Sequence, residues 1–148
     1  MFGPLSKGKP YGIRAGVIGT STGISLFKRW VRHARLPVFP LKPQAARPSF
    51  PGFEAAFRTQ WEVDPVIELT VDLADIRKHL YLDDRHQAVF GTVDVFSRPI
   101  LDASSEEEAK VDLWFVVIPD EVKKYCRPQS TVELSLRQKA DRDCPELR

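Results

Sequence analysis

The sequence predicts an α/β domain built on a short parallel sheet. Three short runs rich in β-branched residues alternate with segments of helical apolar spacing, an order that parallel α/β layers produce. The run Leu113–Ile118 (LWFVVI) is apolar without a break, which reads as a strand buried on both faces. Pro119 stops that run and Asp120-Glu121 follow it, a strand–turn–helix junction of the kind where α/β proteins place ligand sites.

The elements follow in order. Residues 1–12 form a polar Gly/Pro-rich lead. Ile13–Ile18 is the first strand, with Gly16 inside it, and Gly19-Thr-Ser-Thr-Gly23 is a turn supplying several possible N-caps. Ile24, Phe27, Val31 and Ala34 then recur at helical spacing, beside Leu26 and Trp30. Lys28, Arg29, Arg32, His33 and Arg35 fill the other positions, and Pro37 ends this basic amphipathic helix near Leu36. Prolines 37, 40, 43, 48 and 51 make residues 37–51 an extended surface loop. Phe50, Phe53, Phe57 and Trp61, spaced by three or four, predict a short helix or docked segment whose rings pack on the core.

Val66–Leu73 reads as the second strand. A short helix over Ala74–Leu80 puts Leu73, Ile76 and Leu80 on one face, and Asp83-Asp84 can cap the next helix. That helix carries Val89, Phe90, Val93, Phe96, Ile100 and Leu101 as its apolar set, and Pro99 is expected to kink or end it. After the third strand Asp120 can cap a helix that Pro128 interrupts. Val132, Leu134 and Leu136 alternate briefly, and the chain then turns charged and aperiodic. Residues 13–130 are thus one partial, Rossmann-like three-layer domain, and residues 131–148 an irregular tail, truncated or non-native.

A chain of 148 residues suits one domain, and a hydrophobic share of 43% with 28% charged residues is globular rather than disordered. The net charge of +2 gives no general case for nucleic-acid binding, so such a site must be local. The charge is polarised: Lys7 to Arg58 holds ten Lys and Arg with Glu54 as the lone acid, whereas acids dominate from Trp61 to Asp120. Opposed solvated faces account for this, with a polyanion contact near the first helix as the sharper alternative. Cys126 and Cys144 have no metal-ligand spacing, which predicts free thiols, no zinc site and a cytoplasmic location. No stretch approaches membrane-spanning length.

Two motifs remain. Gly16-Val-Ile-Gly19-Thr-Ser-Thr-Gly23 follows a strand and opens a helix but departs from both G-x-G-x-x-G and the P-loop, so a tight turn explains it. Lys123, Lys124, Tyr125 and Arg127 lie just past the last strand and are the candidate nucleic-acid-binding residues, since cations and a tyrosine there can hold a phosphate. No catalytic constellation is present, which predicts no enzyme activity, no metal and no cofactor.

Several segments, in order, resemble the MID portion of short prokaryotic Argonautes, proteins of MID and PIWI domains. They are Phe2-Gly-Pro4 with Ile13–Thr20, Phe50–Phe57, Tyr81–Asp84, Thr92–Val95, and Asp112–Val122 with Cys126-Arg-Pro128. The resemblance implies a MID-like fold, a guide RNA or DNA held by its 5′ end, a target nucleic acid paired to it, and an effector partner protein in defence against invading DNA. In that family a Tyr/Lys pair on the helix after this strand builds the 5′-phosphate pocket; Lys123-Lys124-Tyr125 lies near that place without the same spacing, and the PIWI domain has no counterpart here. The reading is a truncated part of a short Argonaute. The alternatives are a stand-alone α/β protein-interaction module and a nucleotide-binding enzyme domain using Gly19–Gly23.

Overall fold

The computed structural model describes residues 12–41, 48–106, 110–127 and 129–132. The expectations for residues 1–11, and for the alternation and tail beyond Val132, lie outside them. Among the described residues three strands, β1 (Ala15–Gly19), β2 (Ile67–Thr70) and β3 (Leu113–Val117), make one parallel sheet in the order β2-β1-β3. The helices are α1 (Ser21–Arg35), α2 (Phe53–Phe57), α3 (Leu73–Leu80), α4 (Arg85–Ser105) and α5 (Asp120–Tyr125). The predicted α/β class and its parallel sheet are both present.

The sheet separates two cores. Val17, fully buried, faces Ile24, Phe27 and Val31 of α1 and also Trp61, with Phe53 and Phe115 packed alongside. Its neighbour Ile18, also fully buried, points the other way, to Ile76, Leu80 and Tyr81, to Phe96 of α4, and to Val122 and Tyr125 of α5. The period of two along a strand puts successive residues on opposite faces, so helices cover both sides of β1.

The central strand is therefore β1, buried at every position. This corrects the reading of Leu113–Ile118 as buried on both faces. β3 has one ladder partner, β1, so it stands at the sheet edge, with Leu113, Val116 and Ile118 about half exposed at 47%, 43% and 56%. Its apolar composition reflects a strand covered in part on each face and open along one side. The register runs from Ala15↔Leu113 to Gly19↔Val117, and Asp112 fixes its start, its N–H donating to the Arg14 carbonyl and its carboxylate accepting from the Arg14 N–H.

Capping reads as the sequence suggests at α1 and α4, and α3 gains a cap from a residue that the sequence assigns to the second strand. The side chains of Thr20, Asp72 and Asp84 each accept from a backbone N–H of the following turn. Asp72 ends the predicted second strand early, so Leu73 begins α3 rather than closing β2. Pro119, not Asp120, stands at the cap position of α5. Pro99 does not end α4, which runs on to Ser105. Ile100 packs against the core beside it, and burial there offsets the lost backbone hydrogen bond.

The buried face of α4 also differs from expectation. Ala88, Thr92 and Phe96, spaced by four, are the buried residues, whereas Phe90, Val93 and Leu101 are exposed. Close packing on α3 selects small residues: a Cβ on Gly91 would lie 2.5 Å from Nδ1 of His79.

Candidate nucleic-acid interface

In a 2-1-3 parallel order the chain leaves β1 toward one side and returns on the other, so a crevice opens at the carboxyl ends of β1 and β3. Two helices begin there. α1 starts one residue after β1, and α5 starts after Ile118-Pro119. The first turn of α1 is pressed against the end of β3: a Cβ on Gly19 or Gly23 would stand 3.0 Å from side-chain atoms of Val117. Neither glycine adopts positive φ, so both serve close packing of helix start on strand end rather than a phosphate-cradling loop. The first turn of α1 holds no acid, and its N-terminal N–H groups give that end a partial positive charge.

Of the four predicted residues, three are at the surface. Lys123 and Lys124 occupy the last turn of α5 and Arg127 follows it, all exposed. Neither Lys123 nor Arg127 makes an ion pair among the described residues. The Lys124 ammonium sits 4.8 Å from the centre of the Tyr125 ring, a cation–π contact. Tyr125 itself is a core residue, 8% exposed, set edge-on to Tyr81 at 5.8 Å. Its spacing of three from Val122 places it on the buried side of α5, which corrects its grouping with the surface cations.

What positions α5 is a polar network that sequence reading missed. Arg77 on α3 grips the Glu121 carboxylate through both Nε (2.9 Å) and Nη2, and the Tyr81 hydroxyl donates to the same carboxylate at 2.9 Å. The Arg77 hydrogen bond, aided by Tyr81, holds the Glu121 carboxyl below its ordinary pKa despite partial burial. Glu121 in turn raises Arg77. Burial, then the Glu121 carboxylate, pushes the Tyr81 phenol up to about 12. Arg85 adds a second tie, donating to the carbonyls of Leu80, Leu82 and Tyr125 and so satisfying orphan acceptors at the ends of α3 and α5. Arg77 and Glu121 stand 44 residues apart, so no local pattern could have paired them.

The basic face of α1 is partly neutralised. Lys28 pairs with Asp64 (3.3 Å) and Glu68, chiefly the latter, which raises its pKa, and Arg35 lies 4.0 Å from Glu62. The basic first third and the acidic middle of the chain thus meet along α1. Burial pushes the Cys126 thiol up, leaving it a poor nucleophile. Among the described residues no cluster of three or more His, Cys, Asp or Glu could hold a metal ion, and no helix is long and apolar enough to cross a membrane. Compared with models of known protein families and with curated protein sequences, the chain matches none.

Proposed function

We propose that the chain is a single-strand nucleic-acid-binding module of MID type, part of a short Argonaute, which holds the 5′ end of a guide RNA or DNA. The reading rests on two features beyond the carboxyl ends of β1 and β3: the acid-free start of α1 at Thr20–Gly23 on one face of the sheet, and on the other face α5, where the exposed cations Lys123, Lys124 and Arg127 follow an acidic first turn. A phosphate is held by backbone N–H donors and by cations, and a 5′ end lying across these strand ends would draw on both. In the parent protein the guide would pair a target strand and an effector partner protein would act, in the cytoplasm. The module assigns no residue to bond cleavage.

The test is anisotropy of a labelled single strand with a 5′-phosphate against one with a 5′-hydroxyl, over a salt series. Three cations engaging phosphates give a slope of log affinity on log salt of about −2. Joint replacement of Lys123, Lys124 and Arg127 by Ala should flatten the slope and erase the preference for 5′-phosphate. A loss confined to changes at Lys28, Arg29 and Arg32 would overturn the assignment.

A second reading, a protein-interaction module, is favoured by one observation. The apolar edge of β3 and the exposed Phe90, Val93 and Leu101 of α4 leave an unusual amount of apolar surface open.

A further inference from the structure

The opposite end of the molecule carries a second, unrelated cleft. α1 runs antiparallel to the strand that feeds it, and its 15 residues span about 22 Å, so its last turn lies far from the β1/β3 crevice. There a cleft of about 360 Å³ is lined by Arg32, Arg35 and Leu36, by Phe53 and Glu54 of α2, and by Trp61 and Val63. The wall is fixed by Gly52, held at φ 96°, where a Cβ would stand 2.6 Å from the Arg35 carbonyl oxygen. No larger residue lets α2 start so close to the end of α1.

Two features of this cleft are unexplained by packing. Arg32 makes no hydrogen bond or ion pair with its side chain among the described residues, and Arg35 is only loosely held at 4.0 Å from Glu62. Cations in a last turn complement the helix dipole, but that needs neither an aromatic lining nor a concave seat. Trp61, 5% exposed, forms part of the cleft's inner wall, and its indole N–H, itself buried, has no acceptor among the described residues, a costly arrangement where a polar group is normally satisfied.

We propose that this cleft binds one nucleoside phosphate, free or as a single unit of a strand. The two guanidiniums match a phosphate, which Arg recognises by paired N–H donors. Phe53, Leu36 and Val63 offer the apolar contact a base requires, and the Glu54 carboxylate accepts from an exocyclic amine. The volume lies at the lower end for small-ligand sites, enough for one nucleotide and too little for two stacked ones.

The test is a proton–nitrogen correlation spectrum of the whole chain titrated with adenosine 5′-monophosphate. The three tryptophans give three indole signals, assigned with Trp30→Phe and Trp114→Phe. The Trp61 signal should move saturably, and Arg32→Ala or Arg35→Ala should weaken binding by about tenfold or more, as expected on losing a charge-assisted contact. Both arginines sit on the surface, so these variants keep the fold. Replacing Lys123, Lys124 and Arg127 should leave the titration unchanged, which separates this site from the crevice. A 5′-hydroxyl oligonucleotide that moves Trp61 at lower concentration than the mononucleotide identifies a strand as the source; the reverse order identifies the free nucleotide. No saturable movement at millimolar nucleotide, an unaltered affinity in Arg32→Ala, or an equal response to inorganic phosphate alone would each overturn the proposal.

Discussion

Glu121→Gln isolates the network that fixes α5 against α3. The carboxylate accepts two hydrogen bonds from Arg77 and one from Tyr81. Glutamine keeps the shape but loses the charge and one acceptor, leaving the guanidinium half satisfied. Charge-assisted hydrogen bonds are worth about 1.5–3 kcal/mol. The Arg77 and Glu121 side chains are 43% and 33% accessible, so solvent screening reduces the loss to about 1–2 kcal/mol. For a chain of this size that lowers the melting midpoint by about 3–6 °C. The pH dependence gives the sharper check. The Glu121 carboxyl is held below its ordinary 4.5 in the folded state, so its stabilisation is fully present above that pH and is lost as pH falls through the depressed value. Tyr81 works in the opposite sense: its contribution is present below the ordinary 10.0 and fades as pH rises toward about 12. Urea denaturation of the wild type, Glu121→Gln, Arg77→Met and the double variant, at neutral and acidic pH, measures the coupling directly. A coupling near zero at neutral pH, or a wild-type advantage that persists unchanged in acid, would refute the reasoning.

Two further outcomes test the sheet. Gly16→Val drives a side chain into the Trp114 ring, whose atoms lie 2.6–2.9 Å from an added Cβ, and should cost about 1–3 kcal/mol of overpacking, relieved in part by Trp114→Ala; near-ultraviolet dichroism and urea midpoints report both. Val116→Lys places a charge on the open apolar edge of β3 and should lower self-association in light scattering while shifting stability by no more than about 0.5 kcal/mol; undiminished association would show that the edge is not the route.

The sequence by itself determined what depends on near neighbours. The Gly19–Gly23 turn and the pair Asp83-Asp84 declared two helix starts, because an N-cap needs only its own side chain and the next turn, whereas Asp72, which the sequence reads into the second strand, did not declare a third. The alternation of strands and helices declared a parallel sheet, because parallel neighbours require a crossover. Ile24, Phe27 and Val31 marked the inner face of α1 because its other positions are largely charged, so one stripe alone could be buried. The cations Lys123, Lys124 and Arg127 were legible as a group after the last strand, but the burial of Tyr125 was not. Strand order was decided elsewhere. LWFVV reads as more apolar than AGVIG, yet β1 takes the centre, since Gly16 and Gly19 let the rings and branches of β3 lie against it. α4 is apolar on several sides, and only its approach to α3 decided that Ala88 and Thr92 face inward while Phe90 faces out. The Arg77–Glu121 tie and the meeting of Arg32 with Trp61 depend on segments far apart in the chain. Their energy exists only once the sheet has brought α1, α3 and α5 to their places, so no local pattern of residues encodes them.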